Sequence, residues 1–88
     1  MKLIKEDKRG RTYHIKDNLN LLYRNVGSIS GDNDINAEEV IYFVTGSAIV
    51  TIADQIIIIN SPQKITIPEK TYHKIEAITD ISFILFLN

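Results

Sequence analysis

The sequence predicts an all-β domain, a sandwich or barrel of antiparallel strands, on three observations. Short runs of β-branched and aromatic residues recur at even spacing, turn chemistry separates them, and no stretch carries an apolar stripe of period 3.6. A chain of 88 residues has room for one hydrophobic core, so residues 1–88 read as a single domain.

The elements follow in order. Residues 1–11 read as an N-terminal arm, a solvated start in which Lys5, Glu6, Asp7, Lys8, Arg9 and Arg11 surround Gly10. Thr12 to Ile15 is β-prone, and Asp17-Asn18 is a turn signal. Leu19 to Val26 admits a short helix or a strand; Tyr23, Val26 and the following Gly27 favour the strand. The polar segment from Gly27 to Asn36 reads as a loop, with a β-bulge expected at Gly27 or Gly31.

From Glu39 onward the chain is β. Val40 to Val44 ends at Thr45-Gly46-Ser47, Ala48 to Ile52 at Ala53-Asp54-Gln55, and Ile56 to Ile59 at Asn60-Ser61-Pro62. Lys64 to Ile67 is stopped by Pro68, Tyr72 to Ala77 by Thr79-Asp80, and Ile81 to Leu87 closes the chain. If Glu39 faces the interior, alternation sends Ile41 and Phe43 inward and Val40, Tyr42 and Val44 outward. The outward set is as apolar as the inward one, and the same holds for Ile56–Ile59 and Ile81–Leu87. Strands apolar on both faces call for cover on both faces. An 88-residue barrel cannot cover its own outside, so a homodimer is expected.

Composition excludes several function classes. A net charge of −1 argues against a nucleic-acid or anionic-membrane binder, since both rest on excess positive charge. The absence of cysteine removes disulfide scaffolds, thiolate metal sites and thiol nucleophiles. Met1-Lys-Leu-Ile runs straight into charge, which is no secretory signal, and Ile81 to Leu87 is far short of the ~20 residues that span a bilayer. A cytoplasmic location is expected.

Two short patterns carry chemistry. Glu39 enters a strand seven positions before Gly46, and Pro68 leads a turn that delivers His73 onto the next strand five positions later. This layout, over roughly residues 27 to 87, resembles the cupins, small jelly-roll barrels built as double-stranded β-helices. The resemblance implies a cupin core at 27–87 and a site inside the barrel. Cupins hold one divalent metal there with two histidines and a glutamate of a first motif and a histidine of a second. Glu39 and His73 match the glutamate and the last histidine. The two remaining histidine positions fall on Asp32 and Asp34, or on Asn33 and Ile35 if the loop is one residue shorter. The glycine between proline and histidine is replaced by Lys70, and the one opening the second motif by Pro62. The metal-binding motif is therefore degenerate.

Three readings follow. Asp32, Asp34, Glu39 and His73 would make an oxygen-rich metal site, suited to Mn²⁺, Mg²⁺ or Ca²⁺ rather than Zn²⁺. Alternatively, Glu39 and His73 form a metal-free hydrogen-bonded pair lining a ligand pocket, capable of proton transfer. In the third reading Asp32 and Asp34 belong to a solvated turn and His73 is a satisfied polar residue at the barrel mouth. The opening Glu6-Asp7-Lys-Arg9-Gly10 also resembles cupins that isomerise or epimerise nucleotide-linked sugars, in which a histidine and a tyrosine do acid–base work. Tyr13, His14, Tyr42 and Tyr72 are the candidates for those parts beside His73, although alternation turns Tyr42 away from Glu39 and Tyr72 away from His73. Arg24, Tyr13 and His14 are the further polar groups that a ligand pocket or an active site would recruit. Gly27-Ser-Ile-Ser-Gly31 lacks the following helix of a nucleophile elbow, and there is no phosphate loop.

The leading expectation is a small-molecule-binding domain with a degenerate metal site, without catalysis. The runner-up is an acid–base isomerase or epimerase acting on a sugar or small polar substrate, with or without a divalent ion. The third is a dimeric interaction module, whose barrel would be closed by Ile41, Phe43, Ile75 and Phe83.

Overall fold

A computed structural model describes residues 1–31 and 37–87. The described chain folds as strands throughout: β1 (Lys2–Asp7), β2 (Gly10–Lys16), β3 (Leu19–Arg24), β4 (Ile29–Ser30), β5 (Glu39–Thr45), β6 (Ser47–Ile52), β7 (Gln55–Asn60), β8 (Gln63–Ile67), β9 (His73–Ala77) and β10 (Ile81–Leu87). They pair antiparallel into a six-stranded sheet, β1-β2-β3-β10-β5-β8, and a four-stranded sheet, β4-β9-β6-β7. No helix among the described residues is long and apolar enough to cross a membrane.

Period-2 alternation builds the core. Glu39, Ile41 and Phe43 are buried on the inner face of β5, while Tyr42 and Val44 are exposed. Val50, Ile59 and Ile75 close the core from the opposite sheet. Phe43 lies opposite Phe83 in register, and their rings meet at 5.3 Å with a 48° tilt. Neighbouring aromatic side chains on one sheet face interact directly, beyond the area they bury.

The segment from Leu19 is a strand as far as Arg24, as Tyr23 suggested, while Val26 lies in the turn that follows. Two segments differ from the reading of the sequence. The N-terminal arm is strand β1, hydrogen-bonded to β2 and exposed along its whole length, so its charges are solvated while its backbone is paired. Within the expected loop after Gly27, Ile29 and Ser30 form β4 against β9. Gly46 turns β5 into β6 at φ +86°, and a Cβ there would drive into the Asp80 carbonyl. Gly46→Ala is expected to cost about 1–3 kcal/mol through that strain, read as a lower denaturation midpoint with an unchanged slope.

The four sheet edges are not alike. β1 carries Lys2, Lys5, Glu6 and Asp7 and has an irregularity between Leu3 and Lys5. β8 lies between Pro62 and Pro68 and carries Lys64, and β4 is two residues long. Charge, bulge, proline and brevity are the usual guards of an edge strand. β7, Gln-Ile-Ile-Ile-Ile-Asn, has none of them.

Candidate functional site

The two sheets bring Glu39 and His73 together from opposite sides. Glu39 opens β5, opposite Ile67 of β8 and Leu87 of β10. His73 opens β9, opposite Ile52 of β6. Both are buried, and His73 Nε2 stands 3.4 Å from Glu39 Oε2. The turn that delivers His73 keeps the backbone geometry a glycine would supply: Lys70 takes φ +55°. Departure from the cupin pattern at Lys70 therefore leaves the turn in place.

The proton inventory of the pair follows from its partners. His73 Nδ1 faces the Thr71 carbonyl at 3.3 Å, and a carbonyl only accepts, so Nδ1 donates. Nε2 then faces the Glu39 carboxyl across 3.4 Å, where the imidazole can accept a proton from the acid or return one to it. That is the arrangement of a general acid–base pair.

Arg24 completes the wall. It sits on β3 between Gly10 of β2 and Ile81 of β10, with its side chain turned into the sandwich and 7% exposed. Its Nε donates to Ser30 Oγ at 3.1 Å and its Nη1 to the Tyr23 carbonyl at 3.1 Å. Among the described residues no carboxylate forms an ion pair with it. Burial first, and the Arg9 cation second, pull its pKa below the usual arginine value. At the rim, Arg9 pairs with Asp7 at 3.2 Å and holds that carboxyl below its ordinary range.

These groups surround a cavity of about 230 Å³ between the sheets. Arg9, Arg24, Ser30, Glu39 and His73 supply its polar wall; Leu22, Ile41, Ile75, Phe83 and Leu85 supply the apolar one. Ile41, Phe43, Ile75 and Phe83 are buried as a closed barrel would require, yet three of them border this space. A wider surface depression of about 440 Å³, lined by Lys8, Arg9 and residues 25–29, contains none of the expected site residues.

The other candidates lie elsewhere. Tyr13 shares the outer-face row with Leu21 and packs edge-on against Tyr23 at 6.0 Å, with Arg11 over both rings. His14 is turned to its own hairpin, its Nε2 donating to the Asp17 carbonyl at 2.7 Å. Neither lines the cavity. Tyr42 and Tyr72 are exposed, as alternation requires. Asp32 and Asp34, together with the alternative positions Asn33 and Ile35, lie outside the described residues. Among the described residues no group of three or more histidine, cysteine or acidic side chains converges. Of the four expected metal ligands, Glu39 and His73 are the two among the described residues, and they share the cavity wall with the Arg24 guanidinium.

Ser30, Gly31 and Arg9 belong to the site without having been read as site residues. Ser30 lies on a two-residue strand, too short for any periodicity to show, and Arg9 sits in a string that reads as ordinary solvated charge. Gly31 passes directly over β9: at φ +127°, a Cβ would stand 2.6 Å from the His73 carbonyl oxygen. Gly31→Ala is expected to push β4 off β9 and displace Ser30 from Arg24, at a cost of about 1–3 kcal/mol. Loss of hydrogen-exchange protection confined to β4 and the start of β9 would report it.

No protein-family model matches the sequence, and no curated protein matches it. Solved structures do. KdgF from Halomonas sp. superposes with a TM-score of 0.77 at 13% identity, over 99% of this chain and 87% of that one. The conserved SPY1581 protein of unknown function from Streptococcus pyogenes gives 0.73 at 16%, over 92% and 75%. CapF, the capsular polysaccharide assembling protein of Staphylococcus aureus, gives 0.78 at 21%, over all of this chain but only 28% of that one. The chain thus has the cupin fold: all-β, in two antiparallel sheets, shared with small cupin proteins. At these identities the likeness is one of fold.

Proposed function

We propose that this chain is a small-molecule-binding cupin-fold domain whose ligand occupies the cavity between Glu39 and His73. One observation carries the reading: buried charged groups converge on a space that the core leaves open between the sheets. Core side chains normally pack to crystal-like density, and polar groups are rarely buried around empty volume without a use for it. The test is thermal denaturation against a library of small polar metabolites, for the wild type and for His73→Gln. A compound that raises the wild-type midpoint and leaves the variant unmoved supports the reading. Compounds acting equally on both would place binding elsewhere.

The 3.4 Å contact of His73 Nε2 with the Glu39 carboxyl favours a second reading, an acid–base isomerase or epimerase on a sugar or small polar substrate. It predicts solvent-deuterium incorporation into a bound substrate at a carbon next to a carbonyl, abolished in Glu39→Gln. A hard divalent ion enters either reading only if Asp32 and Asp34 join the pair. Metal content of untagged protein purified without chelators, repeated for Glu39→Gln and His73→Gln, decides that. Near-stoichiometric metal lost in both variants supports the ion, and trace metal unchanged by either ends it.

The assembly proposed is a homodimer. Ile56 and Ile58 are 70% and 56% exposed, and Tyr42, Val44 and Phe86 add apolar surface on the other sheet. Sedimentation equilibrium at a mass of two chains is the expected result, and a single-chain mass at all concentrations rejects it.

A further inference from the structure

The cavity wall has one feature that a generic polar pocket does not need. Arg24 is more than nine-tenths buried, its Nε and Nη1 are taken by Ser30 and the Tyr23 carbonyl, and among the described residues no hydrogen bond from Nη2 satisfies its outer edge. Both of its partners are neutral. Among the described residues this guanidinium, held by neutral acceptors, has no counter-charge of the kind that normally accompanies a buried ion. The nearby cation does not help: Arg9 stands on the same cavity and is already engaged by Asp7.

We propose that the ligand of this cavity is a small organic monoanion, whose carboxylate pairs with Arg24 and whose apolar body lies on Ile41, Ile75 and Phe83. This rests on the binding function proposed above and names its ligand class. Planar guanidinium matches planar carboxylate through paired N–H···O bonds, which a point-charge cation cannot offer. A phosphate dianion is disfavoured, because the Glu39 carboxyl lines the same space and the described residues include no helix whose terminus could spread a second charge. The volume, about 230 Å³, equals roughly seven or eight waters at ~30 Å³ each. It falls below the ~300–1,000 Å³ of drug-sized sites. A short aliphatic or single-ring acid is of that size, and a nucleotide-linked sugar exceeds it. With the acid group on Arg24, the opposite end of the ligand faces the Glu39–His73 pair.

The experiment is a titration followed by NMR, with acetate, butanoate, hexanoate and benzoate against the matching primary amides, and with inorganic phosphate. The readouts are the Arg24 Nε–Hε signal and the methyl groups of Ile41 and Ile75. Carboxylates are expected to shift the Arg24 signal and bind about tenfold or more tightly than their amides, a typical charge-assisted advantage. Affinity should rise from acetate to hexanoate. Arg24→Gln should abolish the acid-over-amide preference, and Arg24→Lys, which keeps the charge, should retain part of it. Amides moving the isoleucine methyls as well as acids do, with Arg24 silent, would overturn the anion assignment and leave the pocket standing. Phosphate binding more tightly than any carboxylate would overturn it too. If neither series moves any of these signals, the anion assignment and the binding reading fail together.

Discussion

Phe43→Ala is expected to remove a large share of the stability of this domain. Phe43 is fully buried on the inner face of β5, in contact with Phe83 of β10, in the core between the two sheets. Truncating such a ring costs about 3–5 kcal/mol, the lost transfer energy plus the cavity left behind. At ~0.05–0.15 kcal/mol per residue, a chain of 88 residues has only about 4–13 kcal/mol to lose. If the wild type lies at the lower end of that range, the variant should sit near its unfolding midpoint at room temperature. Phe43→Leu, which keeps most of the volume, should fall well short of that loss. Urea denaturation followed by far-UV circular dichroism measures both. A Phe43→Ala midpoint within a few tenths molar of wild type would mean that the sandwich does not depend on this contact.

The second large effect belongs to the Glu39–His73 pair. Breaking a buried ion or proton-sharing pair by removing one partner leaves the other desolvated, at about 3–5 kcal/mol. The 3.4 Å separation is long for a hydrogen bond, so the lower end of that range is expected here. Glu39→Leu and His73→Leu should each cost about 3 kcal/mol, whereas the double variant should cost clearly less than their sum. Replacing a buried pair with apolar groups of similar size is often close to neutral. A double-mutant cycle in urea supplies the coupling energy. Strict additivity would show that the two side chains do not sense each other in the folded protein.

Much of this architecture was legible because strand physics is local. Glu39, Ile41 and Phe43 alternate with Val40, Tyr42 and Val44, and that alone placed the acid inside and the tyrosine outside. Proline and histidine spacing located the turn at 68–72, and Lys70 shows how a non-glycine residue can keep a left-handed backbone angle. Long-range pairing was not legible. Nothing between Lys2 and Asp7 signals a strand, because its stability comes from the ladder with β2 rather than from its own exposed side chains. The same holds for Ser30, which reaches Arg24 only because Gly31 lets the chain cross β9. Tyr13 and His14 carry suitable chemistry, but hairpin register set Tyr13 on the outer face and turned His14 to Asp17. Residue type proposes a site; register decides its members.

The unguarded edge of β7 has a consequence for how copies of this chain meet. Asn60 turns its N–H away from β6, where the Gln63 side chain accepts it, so by alternation Ile56 and Ile58 also present their backbone groups outward. A second β7 running antiparallel about a twofold axis at Ile57 would set Ile56 against Ile58 on both sides. Each strand would then be capped by the other, and growth would stop at two chains. A partly unfolded neighbour offers no such closure, and the same isoleucines would recruit strand after strand. Ile58→Lys should discourage both events, giving a chain that stays single at high concentration and keeps its cavity unchanged. In the proposed homodimer, this isoleucine-rich stretch is where ordered pairing and fibre growth would compete.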